Sequence, residues 1–173
     1  MQFRTVIITL FFLSKAVIAN PSIQNNNSTD NQPIFGLIEK VILQPDNLLM
    51  NAKMDTGALT SSLDARNIKK FSKNGRDWVR FDVVIQDDNN NEQVTTFERK
   101  IIRMVKLRGA GGSDKRPAIL MKICIGNTTS EEQFTLRDRE DMKYPVLIGR
   151  KTIEHLGLID VKKQFTIEPQ CID

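Results

Sequence analysis

The sequence predicts a mostly-β protein with one short helix near its C-terminus. Short segments rich in β-branched and aromatic residues recur along the chain, and turn-forming residues separate them, which is typical of consecutive strands. Helical signal is scarce. The best candidate helix starts at Gly149 and Arg150 and runs to about Leu156, where Gly157 occupies a position that commonly ends a helix.

The predicted strands are apolar runs bounded by turn residues. A turn-forming cluster at 86–92 lies between two alternating runs, so we expect a β-hairpin over 78–99. The glycine-rich stretch 109–113 is predicted to be a second flexible connection. The predicted strands are 35–43, 48–54, 61–64, 78–85, 93–105, 118–125, 132–136, 146–148 and 159–167.

The first residues predict an export signal. An apolar run at 6–13 and small residues before a cleavage point after Ala19 are typical of a signal peptide over 1–19. The alternative is an uncleaved membrane anchor. It is disfavoured because a spanning helix needs about 20 apolar residues and Lys15 interrupts this run. We therefore expect a periplasmic or secreted protein without a stable membrane anchor.

The length of 173 residues fits a single domain after the leader. Residues 20–32 are polar and predict a disordered linker, so the folded domain is expected over 33–173. Removal of Arg4 and Lys15 with the leader lowers the formal net charge from +4 to +2. This mild charge does not predict a nucleic-acid partner.

Lys and Arg residues cluster between 99 and 116. The simpler interpretation is a solvated face of the protein. The more specific interpretation is a surface that binds an acidic substrate, with Arg108 and Arg116 as the candidate contacts.

The two cysteines, Cys124 and Cys171, both lie after the predicted leader. Export would place them where a disulfide can persist, and we state their pairing as a hypothesis. Their spacing matches no metal-ligand pattern, and His155 is the single histidine of the chain. We therefore expect neither a metal site nor a cofactor.

The most informative stretch is 51–63, in which a strand leads into Asp55, Thr56, Gly57 and Ala58. The Asp55 carboxylate can activate water or protonate a leaving amine when a second carboxylate shares its proton. Thr56 can lock the turn by hydrogen bonding, and the small Gly57 and Ala58 let a substrate or a second chain approach. The alternative is an ordinary tight turn in which Asp55 caps its own backbone.

A second element favours the catalytic interpretation. At 144–160 an apolar strand ends in Ile148, Gly149 and Arg150, and a short helix follows. The Asp-Thr-Gly-Ala turn and this later apolar-Gly-Arg element, in this order, resemble the retropepsin-like aspartic peptidases. Five stretches resemble more closely the bacterial family often labelled an ATP-dependent zinc protease, namely 54–58, 60–61, 78–81, 116–117 and 142–150.

The resemblance covers about 34–167 and implies a closed retropepsin-like acid-protease barrel. It implies that Asp55 is the catalytic carboxylate, that Thr56 and Gly57 brace its turn, and that the Ile148–Arg150 element packs behind the site. The zinc and ATP of the family label find no support, because the chain has no His-Glu-x-x-His, cysteine cluster or Walker loop.

Because the chain contains one Asp-Thr-Gly and no Asp-Ser-Gly, the second carboxylate must come from another copy, and a homodimer is expected. The predicted function is an exported aspartic-type endopeptidase acting on a peptide or protein substrate. Two alternatives remain open: a non-catalytic module that binds a peptide or partner in the same groove, and a hydrolase for poly-glutamate or another amide. The family is discussed beside cytoplasmic glutamate-ligating enzymes, whereas the leader would export this chain.

Overall fold

A computed structural model describes residues 32–86, 89, 91–109 and 112–171, with the backbone alone at 108, 109 and 112. These residues belong to one compact unit, Asn31–Asp173. The predicted signal peptide and all of the predicted linker except Gln32 lie outside the described residues. Within the described part of the chain, no helix is long and apolar enough to cross a membrane.

The described residues are mostly in strands, with one short helix, which confirms the predicted secondary-structure class. The strands are β1 Ile34–Leu43, β2 Leu48–Asp55, β3 Ser61–Asp64, β4 Arg66–Lys73, β5 Arg76–Gln86, β6 Glu92–Lys100, β7 Arg103–Gly109, β8 Gly112–Ile125, β9 Thr128–Arg137, β10 Val146–Gly149 and β11 Leu158–Gln164. The helix, α1, is Arg150–Leu156.

Eight strands form one sheet in the order β11-β1-β2-β10-β3-β9-β8-β7. β10 lies between β2 and β3, parallel to the first and antiparallel to the second. β1 also pairs with β8, through Ile42 with Cys124 and Leu43 with Ile123. The first and last strands of the run β1-β2-β10-β3-β9-β8 are therefore paired with each other. The late-sequence β10 is therefore inserted between two early strands.

A second sheet contains β4, β5 and β6 in that order. Its β5–β6 ladder runs from Trp78 opposite Lys100 to Gln86 opposite Glu92, which confirms the predicted hairpin. The predicted strand over 93–105 is wrong in one respect, because the chain leaves the ladder at Ile101 and Ile102. These two residues donate to Asp77 O and Ala118 O, both at 2.9 Å, and so carry the chain from one sheet to the other.

The sequence prediction missed β4 and began β8 at Ala118, six residues after its start at Gly112. The physical reason is exposure. β4 is an edge strand with mostly exposed or partly exposed side chains, so its sequence lacks the apolar alternation of a half-buried strand. The first half of β8 pairs with β7 alone, and its residues are mainly polar.

Alternation in β2 sets the direction of the candidate catalytic side chain. Leu48, Met50, Ala52 and Met54 are buried in the core, whereas Lys53 and Asp55 belong to the opposite face and are partly exposed. Successive side chains of a strand point to opposite faces, so the burial of the apolar set directs the Asp55 carboxylate away from the core.

The helix ends at a glycine and buries one of its faces. Thr152, Ile153 and Leu156 are its buried residues. Gly157 N–H donates to Ile153 O at 3.2 Å, and Gly157 has a positive φ of 149°. A Cβ at Gly157 would meet the carbonyl oxygen of Pro33, so the close approach also requires glycine here.

Cys124 and Cys171 form a disulfide with a Cα–Cα distance of 6.0 Å, which confirms the hypothesis of their pairing. The bond ties the segment after β11 to the buried Cys124 of β8. Gln170 N–H donates to Gly126 O at 2.7 Å beside it, so the tail is held by the backbone as well as by the covalent link.

Candidate active site

The candidate site is the turn that follows β2. Asp55 ends the strand and is partly exposed, and Gly57 N–H donates to its Oδ1 at 3.1 Å. Ala58 N–H donates to Asp55 O at 3.2 Å and closes the turn. Thr56 and Gly57 are exposed. A catalytic turn and an ordinary tight turn would both contain the bond between Gly57 and Asp55, so this bond does not distinguish them. The elements that pack behind the turn are more informative about its role.

The strand–helix element predicted from the sequence packs against this turn. Gly149 lies opposite Asp55 in the β2–β10 ladder, and Ile148 lies opposite Met54. Arg150 N–H donates to Ala58 O at 2.9 Å. The backbone at the start of α1 therefore fixes the end of the turn.

The Arg150 side chain adds a second link, since its Nη1 donates to Thr56 O at 3.3 Å. Lys151 N–H donates to Leu59 O at 3.3 Å. With these bonds, the first helical turn holds the loop after Asp55 at Thr56, Ala58 and Leu59. The structure thus brings together all the residues predicted for the turn and its support, while their chemical roles stay predictions.

A buried hydroxyl pair lies beneath the turn. Gly149 N–H donates to Ser61 Oγ at 3.0 Å, and Ser61 Oγ lies 3.0 Å from Thr152 Oγ1. Thr152 Oγ1 donates to Glu132 Oε2 at 3.0 Å, so Ser61 must donate its own hydroxyl proton to Thr152. The chain of donors runs in one direction from Gly149 to Glu132 and joins β10, β3, α1 and β9.

Both hydroxyl residues are almost fully buried, with Ser61 1% and Thr152 2% exposed. The sequence analysis did not predict this network, because residues distant in sequence meet only in the folded sheet. The one local signal was the Thr60–Ser61 pair that contributed to the family resemblance.

Gly149 should be intolerant of any side chain. A Cβ at Gly149 would lie 2.6 Å from Thr60 C and 2.8 Å from Ser61 N, which are backbone atoms that cannot move aside. We expect Gly149→Ala to lower the free energy of unfolding by about 3 kcal/mol, as overpacking against rigid neighbours does. Urea titration followed by circular dichroism measures this change.

Gly75→Ala is the control, because Gly75 has a positive φ of 68° but open space around its Cβ position. Its cost should be that of backbone strain alone, about 1 kcal/mol. Equal midpoints for Gly149→Ala and the wild-type protein would contradict the close approach of Gly149 to the chain at Thr60.

Arg139 is a buried cation close to the site that the sequence analysis missed. It is 9% exposed, and its Nη1 lies 3.5 Å from Ser62 Oγ, while its backbone N–H donates to Asp64 Oδ1 at 2.7 Å. Burial lowers the pKa of Arg139, and the nearby guanidinium groups of Arg137 and Arg116 lower the pKa further.

The carboxylates of Asp64 and Asp55 partly offset this effect, because their negative charges raise the pKa of Arg139. Arg139 therefore lies within electrostatic reach of Asp55. No sequence signal distinguishes Arg139 from the other basic residues, because it follows β9 in an irregular segment.

The two arginines predicted as substrate contacts lie on the β7–β8 hairpin. Arg116 Nε is 2.6 Å from Asp114 Oδ2, and its side chain is 12% exposed, so it is already engaged within its own strand. Arg108 pairs with Ser113 in the backbone ladder. The hairpin begins beside the candidate site, because Arg103 Nη2 donates to Thr60 Oγ1 at 3.0 Å.

The mostly-β sheet, the Asp55 turn and the supporting strand and helix define a retropepsin-like domain. Residues 34–170 match the RimB-like family, described as retropepsin-like aspartic endopeptidase RimB. The chain belongs to this family, which confirms the resemblance found in the sequence.

Several proteins with other names are also similar to this chain. A probable alpha-L-glutamate ligase of Shewanella pealeana is 32% identical over 120 residues, which cover 68% of this chain and 26% of that protein. A probable alpha-L-glutamate ligase of Desulfotalea psychrophila is 31% identical over 121 residues, covering 68% and 25% of the two chains. The crystal structure of Lpg0085, a Legionella pneumophila protein of unknown function, has a TM-score of 0.66 and 33% identity, and covers 79% of this chain and 98% of that one.

The chain spans about a quarter of the length of these ligase relatives. Most of each ligase relative therefore lies outside the region that it shares with this chain, and the ligase name refers to the whole of that longer protein.

Proposed function

We propose that the protein is an exported aspartic-type endopeptidase whose catalytic unit is a homodimer. The observation that carries this proposal is the Asp55 turn, which presents a partly exposed carboxylate and is fixed from behind by Gly149 and Arg150. Two carboxylates that share a proton can activate water for attack on an amide carbonyl and then protonate the leaving nitrogen. Asp55 of a second protomer supplies the second carboxylate.

The exposed apolar side chains of the chain support a dimer. Leu59, in the turn region, is 52% exposed, and the edge strand β11 exposes Leu158 and Val161 at 49% and 66%. A two-fold axis beside Asp55 would place the same turn from both protomers in contact. Burial of Leu59 and of the β11 edge would remove apolar surface from water.

The return of the strand order on itself supports the closed barrel of the retropepsin type. β1, β2, β10, β3, β9 and β8 follow one another by pairing, and the β1–β8 pairs at Ile42 and Leu43 join the two ends. We propose that these six strands form the closed barrel of one protomer.

The proposed substrate is an acidic peptide that contains glutamate. The positive charges of Arg137 and Arg116 lower the pKa of Arg139, and the Asp55 carboxylate acts to raise it, so positive charge is concentrated near the Asp55 turn. The relatives are named as glutamate ligases, and a hydrolase for amide bonds of glutamate would act on the class of bond that such a ligase forms. Guanidinium groups are suited to carboxylates because they bind them through paired donors.

Incubation with a mixed peptide library tests this function. The protein starting at Asn20 is mixed with peptides that include oligo-glutamate and matched oligo-glutamine sequences, and mass spectrometry identifies the products. We expect cleavage of the glutamate peptides and none in an Asp55→Asn sample. Binding of the same peptides without cleavage would favour the non-catalytic module, and cleavage of glutamine peptides alone would overturn the acidic substrate.

N-terminal sequencing of the protein purified from a Gram-negative host tests the export part of the proposal. A chain that starts at Asn20 and lies in the periplasm supports it. An intact Met1 in the cytosolic fraction would contradict it.

A further inference from the structure

A cavity lies on the β8 side of the sheet and is lined by none of the residues of the Asp55 turn. Its volume is about 620 Å³, which is in the range of small-molecule sites. Four parts of the chain form its walls: the β1–β2 connection, the end of β6, the β6–β7 connection, and the β8–β9 pair. The lining residues are Gln44, Pro45, Arg99, Lys100, Ile102, Leu120, Lys122 and Glu131.

Backbone hydrogen bonds fix the walls of this cavity. Gln44 N–H donates to Lys122 O at 2.9 Å, which joins the β1–β2 connection to β8. Ile102 N–H donates to Ala118 O at 2.9 Å, which joins the opposite wall to the same strand. Backbone hydrogen bonds to β8 therefore hold both the β1–β2 connection and the β6–β7 connection at this cavity.

The charges of the cavity are strongly unbalanced. Arg99, Lys100 and Lys122 line it together with one carboxylate, that of Glu131. Within the described part of the chain, none of these three cations takes part in an ion pair. A concave surface with several cations concentrates the electrostatic field and attracts anions.

Arg99 is oriented before any ligand arrives. Its Nη1 donates to Glu98 O at 3.0 Å, and its Cζ lies 5.1 Å from the ring centroid of Phe97, which is itself 3% exposed. The remaining guanidinium donors are available for a ligand, and an arginine that is already held loses less side-chain entropy when it binds.

The apolar part of the wall, formed by Pro45, Ile102 and Leu120, suits a ligand with a carbon skeleton. We propose that this cavity binds a small organic anion carrying two or more negative charges, with Arg99 and Lys122 as its main contacts. The proposal does not rest on the proposed peptidase function, because none of the lining residues belongs to the turn 55–58.

Isothermal titration calorimetry of the full chain with citrate and with inorganic pyrophosphate tests this site at low ionic strength. We expect saturable binding of one anion per chain, and the stronger ligand of the two identifies carboxylate or phosphate as the preferred group. Arg99→Ala and Lys122→Ala should each weaken binding at least about tenfold, which corresponds to the loss of one charge-assisted contact. Glu131→Gln should strengthen binding severalfold, because it removes the carboxylate from the wall.

Lys162→Ala is the matched control, since it removes one exposed positive charge on β11 without touching the cavity. Its affinity should equal that of the wild-type protein, and Asp55→Asn should also bind normally. Thermal unfolding of every variant confirms that it is folded. A lack of saturation up to about 10 mM anion, the weak end of specific binding, would overturn the proposal. So would an equal loss of affinity in Arg99→Ala and Lys162→Ala.

Discussion

Replacing Asp55 by Asn is expected to abolish peptide hydrolysis while the fold remains intact. The amide cannot accept the proton of water, so the rate should fall by about three orders of magnitude or more. Asn can still accept the bond from Gly57 N–H, which lies 3.1 Å from Asp55 Oδ1, and the turn therefore keeps its geometry. Cleavage of the best library peptide, with circular dichroism of the same sample, measures both properties.

Mixed dimers of wild-type and Asp55→Asn chains test whether hydrolysis requires one Asp55 carboxylate from each chain. When a wild-type chain exchanges with an excess of Asp55→Asn chains, activity should fall toward zero although wild-type chains are still present. Full activity of Asp55→Asn, or cleavage by a protein that sediments as a monomer, would contradict the mechanism.

Loss of the Cys124–Cys171 disulfide is expected to produce the largest change in stability. The bond closes a loop between residues 47 apart, for which the chain-entropy estimate is about 4 kcal/mol. In a domain of this size, that loss lowers the midpoint of thermal unfolding by on the order of 10 °C. A Cys124→Ala/Cys171→Ala double variant measured by differential scanning calorimetry gives the value.

Reduction provides the matching control for the disulfide. Dithiothreitol should lower the unfolding temperature of the wild-type protein to nearly that of the double variant and should leave the double variant unchanged. Denatured, non-reduced wild-type protein should show no free thiol. Two titratable thiols in that sample, or an unaltered unfolding temperature in the double variant, would contradict the prediction.

The residues around Asp55 were predictable because short stretches of sequence encode them. An apolar strand, Asp55 to Ala58 and the later Ile148–Arg150 element each form a local pattern, and their order pointed to the family. The helix ended as predicted at Gly157 for the same reason, since capping is a local property of the chain.

Features that depend on distant neighbours were not predictable in this way. The Ser61–Thr152–Glu132 network joins three elements separated in the chain, and Arg139 becomes a buried cation only after the sheet assembles. β4 was missed because an exposed edge strand needs no apolar alternation. The disulfide was an open hypothesis, because two cysteines pair only if the fold brings them together.

The position of β10 between β2 and β3 has a consequence for the order in which the protein matures. The bond between Arg150 and Thr56 joins residues 94 apart, so the Asp55 turn cannot acquire its support until nearly the whole chain has emerged. Before that moment, β2 and β3 each lack the neighbour that fills the gap between them, and such open strand edges can pair with other chains. Contacts this distant in sequence also form slowly. We therefore expect a chain that lacks its last strands to have an unsupported Asp55 turn and to need protection from aggregation until those strands are in place.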